Sequence, residues 1–209
     1  MEEFKINDKN VYYHKTLDGG GTVFGINALK SEGVKKHIRP RNVLEMCSGP
    51  GFMGFYLNFN YGCENLILSD INFENKECID KTISENNLKN TKFIESNVFD
   101  SFPDFNYKFD TIVSNPPHFK TRRPGGYRNE HEELISLDEE MKFHTKFLKD
   151  AQNYVDGNSS IILVENAAGV SAQDIIEIAK SDYDVTYIEY DSYGWTGESK
   201  FYTIVLRIK

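Results

Sequence analysis

No stretch of this chain is apolar for long enough to cross a bilayer. The longest purely aliphatic run, Ile161 to Val164, falls far short of the roughly 20 residues a spanning helix needs. The opening residues Met1-Glu2-Glu3-Phe4-Lys5 are charged with no apolar run behind them, which fits neither a signal peptide nor a membrane anchor. A soluble, cytoplasmic protein without membrane contact is expected. Cysteine is scarce and odd in number: Cys47, Cys63 and Cys78 have spacings that suit neither a disulfide framework nor a zinc site, so reduced thiols are expected. The five histidines are scattered, with no pair at metal-ligand spacing beside a carboxylate, and no metal is expected. Basic residues are also outnumbered. Against 24 Lys and Arg stand 32 Asp and Glu, a net charge of −8, which argues against whole-surface attraction to phosphate backbones. The local exception is Lys120, Arg122, Arg123 and Arg128, interleaved with Pro124, Gly125 and Gly126, which reads either as a solvated loop or as a contact for an anionic substrate.

What is present is strand–helix alternation within a length suited to one domain, 209 residues. Residues 1–21 lack a clean period and include Asp18-Gly19-Gly20-Gly21; they read as an irregular lead-in and a candidate lid, with a single domain over 22–209. A helix through about His37 ends at Pro40, and Asn42 to Met46 reads as the first strand. Phe52, Phe55, Tyr56 and Phe59 keep helical spacing after it. Strands are then expected at Asn65 to Asp70, Lys92 to Glu95, Lys108 to Ser114, Ser160 to Val164 and Val185 to Tyr190, with helices over 73–87 and 172–181. Leu137, Met141, His144, Leu148, Ala151 and Val155 trace one apolar helical face, on which His144 reads as a packed core histidine. The last strand, Phe201 to Ile208, follows the turn Gly194-Trp195-Thr196-Gly197 too closely for a crossover helix and must pair antiparallel.

Four polar sites fall at the carboxyl ends of the first four strands, where parallel α/β sheets bind ligands. Gly49 and Gly51 permit a tight turn and close backbone approach. Asp70 lies 19 residues past Gly51, placed to accept from ribose hydroxyls. Gly49-Pro50-Gly51-Phe52-Met53-Gly54 matches the dinucleotide pattern literally, so a nicotinamide enzyme has to be weighed. Against it, Glu45 would repel a pyrophosphate and suit a cationic ligand, and Asn115-Pro116-Pro117-His118 has no task in hydride transfer.

Glu45-x-Cys47-x-Gly49-x-Gly51, Asp70-Ile71-Asn72, Asn97-Val98-Phe99 and Asn115-Pro116-Pro117-His118, in this order and spacing, resemble the class I S-adenosylmethionine-dependent methyltransferases. The subgroup they resemble carries an Asn-Pro-Pro-aromatic motif and includes the release-factor glutamine methyltransferases and small-domain ribosomal RNA enzymes. The resemblance covers roughly Thr22 to Lys209. It implies a Rossmann-like seven-stranded, mostly parallel α/β sheet with helices on both faces and an antiparallel last strand. It implies S-adenosyl-L-methionine as cofactor, with Glu45 beside the methionine ammonium and Cys47, Ser48, Gly49 and Gly51 around the amino-acid moiety. Asp70 would hold the ribose, Ile71 would pack on adenine, and Asn97 with Val98 would meet the adenine edge. Asn115 and the Pro116 carbonyl would accept from a planar NH₂ group, whose lone pair is otherwise delocalised, while Pro117 stiffens the turn and His118 stacks on the target. No general base is required for the attack. Cys47 stands where the usual motif has its first glycine, which a negative φ would accommodate; Asn97 stands where Asp is common, and His118, with Phe119 beside it, where Tyr or Phe is usual. The expected target is macromolecular: a protein glutamine side chain, or alternatively an exocyclic amino group of rRNA, tRNA or DNA. A partner subunit or homodimer would help a chain this short hold such a target, and a cofactor-binding module without turnover is the non-enzymatic alternative.

Overall fold

The computed structural model describes residues 1–16, 22–122, 124–190 and 201–209, without side-chain detail at residues 22 and 23. The glycine run at 19–21, Arg123 and the turn at 194–197 lie outside the described residues. A hairpin comes first, β1 (Glu2–Ile6) antiparallel to β2 (Lys9–Tyr13). This corrects the expectation of an irregular lead-in. Asn7 takes the left-handed turn position with φ 56°, and alternation puts Ile6 and Val11 into the interior. Then follow α1 (Thr22–Lys30), α2 (Glu32–Lys35), β3 (Asn42–Met46), α3 (Phe52–Tyr61), β4 (Asn65–Asp70), α4 (Lys76–Glu85) and β5 (Thr91–Glu95). The second half holds β6 (Thr111–Ser114), α5 (Glu130–Leu134), α6 (Lys142–Ala151), β7 (Ser160–Asn166), α7 (Ala172–Ala179), β8 (Tyr183–Tyr190) and β9 (Phe201–Ile208). The helix expected through His37 breaks at Ser31, whose side chain accepts from Val34 N and so restarts the chain as α2. The long helix expected from Leu137 begins only at Lys142, because Glu140 and Met141 sit at φ 57° and 59°.

Seven strands pair in the order β5-β4-β3-β6-β7-β9-β8. The first five are parallel, and β9 runs antiparallel to both β7 and β8. The expected Rossmann-like sheet with an antiparallel last strand is therefore what forms. From β3 the chain winds outward to β4 and β5, then returns to β6 on the other side of β3, so the order reverses between β3 and β6. A crevice opens at the carboxyl ends there.

Alternation along each strand separates two cores. Val43, Leu66, Leu68, Val113, Ile162 and Val164 join one with α1, α3 and the hairpin, whereas Leu44, Met46, Ile67, Ile112, Ile161 and Leu163 join the other with α6 and α7. The same parity fixes two buried acids: Glu45 faces α3 and Glu165 faces α6, where their contacts lie. The hairpin packs on α4 and α3 through Tyr12 N to Thr82 Oγ1 at 2.9 Å and edge contacts of Phe4 and Tyr13 with Phe52. No helix among the described residues is long and apolar enough to cross a membrane.

Candidate active site

The crevice at the switch point holds a cavity of about 390 Å³. From the β3 end come Glu45, Cys47, Ser48 and Gly49; from β4, Asp70 and Ile71; from β5, Asn97 and Val98. From β6 come Asn115, Pro116, Pro117 and His118. The residues that the resemblance assigns to cofactor and target thus meet in one place, except Gly51. That glycine stands behind the wall as the N-cap of α3, at φ 88°, where a Cβ would lie 2.7 Å from Leu68. Gly49 is different: at φ 48° its missing Cβ would meet nothing within 4 Å, so the backbone is bare towards open space.

Cys47 departs from expectation. Its φ is 54°, in the left-handed region, so this non-glycine residue holds the turn at a strain of about 1–2 kcal/mol. Val98 at φ 57° is a second strained position, and both lie on the cavity. Burial pushes the Cys47 thiol far up, which keeps it protonated and unreactive.

The two acids of the nucleoside half differ in what they leave open. Asp70 accepts from Gly49 N at 2.7 Å and Asn72 N at 2.8 Å, one bond to each oxygen, and burial raises its pKa. With about four acceptor positions on a carboxylate, capacity for hydroxyl donors remains. Glu45, expected beside a ligand ammonium, instead directs its oxygens to Met53 N at 3.2 Å and Gly54 N at 2.7 Å, anchoring the start of α3 to β3. Burial pushes its pKa up to about 8 against those two donors.

At the β6 end Asn115 lines the cavity, and its Oδ1 is buried with no hydrogen-bond partner among the described residues. His118 is held by its ring: Nδ1 lies 2.9 Å from Glu165 Oε2, and Phe201 meets it edge-on at 6.1 Å. Behind the motif a Cβ on Gly169 would come within 2.2 Å of the His118 carbonyl, so only glycine lets the 166–170 turn pack there. Gly169 had no signal in the sequence, since it sits in an unremarkable loop.

Sequence reasoning also missed the roof. Phe119 N to Ser136 O at 2.8 Å and Asp138 N to Phe119 O at 2.9 Å close the base of the 120–136 excursion, and His131 and Leu134 of α5 line the cavity. His131 of α5 meets Asn72 Nδ2 at 3.2 Å, joining roof to the β4 end. The described residues of the basic cluster are in ion pairs: Lys120 with Asp174 of α7 at 2.7 Å and, within the excursion, Arg122 with Glu133 at 2.5 Å and Arg128 with Glu132 at 3.1 Å. Among the described residues no lysine or arginine lines the cavity, whereas Glu45 and Asp70 do. That balance suits a cationic nucleoside and opposes a pyrophosphate. Among the described residues no three His, Cys, Asp or Glu side chains are placed to hold a metal ion.

A family model described as the methyltransferase small domain matches residues 3–187. The chain belongs to the methyltransferase small-domain family. Membership bears out the expectation of a methyltransferase domain at the level of the family. Among curated relatives, a release factor glutamine methyltransferase from Leptospira interrogans is 37% identical over 86 residues, 40% of this chain and 30% of that one. Its counterpart from Mycoplasma mycoides is 25% identical over 127 residues, 58% and 45% of the two chains. Ribosomal RNA small subunit methyltransferase C from Haemophilus ducreyi is 29% identical over 128 residues, 60% and 32%. The chain thus spans less than half the length of the curated relatives it matches. A solved methyltransferase from Pyrococcus furiosus shares the fold of this family member with a TM-score of 0.67 at 18% identity, over 98% of this chain and 90% of that one. The structure of MtNAS in complex with S-adenosylmethionine gives 0.56 at 16% identity, over 88% and 61%.

Proposed function

We propose that this chain transfers a methyl group from S-adenosylmethionine to the nitrogen of a planar amide, a glutamine side chain of a protein. The observation that carries the reading is Asn115 Oδ1, a buried acceptor of a cavity-lining residue with no donor among the described residues. A buried polar atom left unpaired costs about 1–3 kcal/mol, a debt that an incoming N–H removes. The cavity fits the cofactor on its own terms. Asp70 keeps acceptor capacity for ribose hydroxyls, Ile71 is 46% exposed as an apolar surface for a base, and Gly49 leaves its backbone approachable. Bound there, S-adenosylmethionine would supply an electrophilic methyl group on a sulfonium.

The chain's own residues then act on the target. Asn115 Oδ1 and the Pro116 carbonyl accept from the NH₂, favouring the pyramidal nitrogen whose lone pair is free to attack, and the same acceptors stabilise the positive charge that develops. Pro117 stiffens the turn that presents them. A protein rather than a nucleic-acid target is supported by the chain's net charge of −8 and by the ion pairs that occupy Lys120, Arg122 and Arg128. The two release-factor relatives point the same way, the ribosomal RNA relative the other.

The test is incubation of the purified chain with methyl-labelled S-adenosylmethionine and an extract depleted of its own low-molecular-weight cofactors. Label that protease releases and nuclease does not, and that disappears with Asn115→Ala, is the expected outcome. Label confined to RNA or DNA would replace glutamine by an exocyclic amino group, and label insensitive to Asn115→Ala would remove the motif from the reaction.

A further inference from the structure

A chain of four titratable side chains runs from the second core into the cavity. Asp138 Oδ1 accepts from Phe143 N at 2.6 Å and its Oδ2 from His144 N at 3.2 Å, so it sits on the amino end of α6 as a carboxylate. His144, fully buried, directs Nδ1 to Asp138 Oδ2 at 2.5 Å and Nε2 to Glu165 Oε1 at 2.9 Å. The other oxygen of Glu165, also fully buried, meets His118 Nδ1 at 2.9 Å. His118 lines the cavity, and among the described residues its Nε2 has no hydrogen-bond partner.

The protons on this chain follow from its partners. Both nitrogens of His144 face carboxylate oxygens, which only accept, so both carry hydrogen and the ring is an imidazolium. Burial alone would lower its pKa, but Glu165 and Asp138 outweigh that and raise it to about 9. For Glu165 burial works upward, and the His144 and His118 rings outweigh it and hold it low. Two groups approach His118 Nδ1, Glu165 Oε2 at 2.9 Å and Asn166 N at 3.4 Å; the shorter contact, to an ionised Glu165, takes a hydrogen on Nδ1, which leaves the lone pair of the neutral tautomer on Nε2. Counting charge, Asp138 and Glu165 contribute two negatives and His144 one positive. One negative charge stays unmatched in a buried cluster, and a proton arriving on His118 balances it.

We propose that His118, held by Glu165, His144 and Asp138, is the group that takes the proton leaving the methylated nitrogen. The proposal rests on the amide-methylation reading above. The nitrogen–carbon bond forms as the sulfur–carbon bond breaks, with that bonding pair departing on sulfur as a neutral thioether. The nitrogen then keeps the electron pair of one N–H bond, and the proton goes to the Nε2 lone pair of His118 and from there to water. His118 is thus a proton acceptor rather than a stacking ring, while Glu165, His144 and Asp138 are positioning residues. This gives a reason for histidine at the position where Tyr or Phe is usual: a phenol or phenyl ring stacks as well but has no basic ring nitrogen to take a proton.

Two measurements on the full chain test it. In ¹⁵N-histidine NMR of the unliganded protein at neutral pH, His118 is expected to show a protonated Nδ1 and a lone-pair Nε2, with His144 doubly protonated. Glu165→Gln should remove the tautomer preference of His118. Hydrogen on Nε2 of wild-type His118 at neutral pH overturns the proposal. In the extract assay His118→Phe, which keeps a flat ring, is expected to lower methyl incorporation by roughly 10²–10⁴-fold, the range for a lost acid–base group, with unchanged affinity for S-adenosylmethionine. Incorporation within a few-fold of wild type overturns it in favour of stacking. Failure of the amide reading looks different: the wild type then transfers no label to protein, or Asn115→Ala transfers it normally.

Discussion

Single side chains decide what this cavity can hold, and the most informative is Asn115. Its amide oxygen is buried without a donor, so removing it should leave folding nearly intact while removing the acceptor from the transition state. Asn115→Ala is expected to lower turnover by about 10²–10³-fold, the usual effect of deleting one preorganised polar group, with little change in cofactor affinity; single-turnover rates and calorimetry separate the two. Gly49 is the corresponding residue of the other half. Because its missing Cβ points into open space, Gly49→Val adds no clash to the unliganded fold. The φ of 48° still makes the branched residue lose about 1–2 kcal/mol of stability. Cofactor binding should be abolished, whereas binding at wild-type affinity would show that ligands do not approach this turn.

At the level of elements, the site depends on contacts that hold strand ends and helices in register. Glu45 anchors α3 to β3 by accepting from Met53 N and Gly54 N, so Glu45→Gln replaces one acceptor oxygen with an amide that opposes an N–H. A loss of about 1–3 kcal/mol in chemical denaturation is expected. Gly169 lets the turn after β7 approach the Asn-Pro-Pro-His segment, and Gly169→Ala would bring a methyl to 2.2 Å from the His118 carbonyl. Displacing that segment should reduce turnover more than stability; unchanged turnover would mean that the segment tolerates movement.

For the whole molecule, the buried charges set a pH dependence. His144 is raised in the fold to about 9, so the stability it contributes is fully present below its unfolded value near 6.5 and is lost as pH rises through 9. Glu45 is a carboxyl raised to about 8, so over pH 4.5 to 8 it is ionised in the unfolded chain but still protonated in the fold, and stability falls through that window. Both act in one direction above pH 6.5. Thermal unfolding should therefore shift to lower temperature between pH 6.5 and 9, and a flat profile there would contradict the charge assignment of the Asp138–His144–Glu165 cluster. How much of this was legible in the sequence follows from periodicity and its limits. Strands β3, β4 and β9 were readable to within a residue because strands with both faces covered are short, near-continuous apolar runs bounded by polar or turn residues. Cavity residues were readable where each strand stopped. The hairpin at the amino end was not, because its exposed face hides an alternation only five residues long on each strand. Nor was the histidine–carboxylate chain: Glu165 extends what read as a pure aliphatic strand, and His144 on an apolar helical face reads as packing until its two carboxylate partners, from elsewhere in the chain, are in place.

The most direct test of the cavity's identity is isothermal calorimetry of S-adenosylmethionine and of NAD with the wild type and Asp70→Ala. Saturable binding of S-adenosylmethionine alone is expected, weakened by about 10–100-fold in Asp70→Ala through loss of hydrogen bonds to a charged acceptor. Binding of NAD, or S-adenosylmethionine affinity that survives Asp70→Ala unchanged, would contradict the reading of this crevice, which no lysine or arginine lines among the described residues, as a site for a cationic nucleoside.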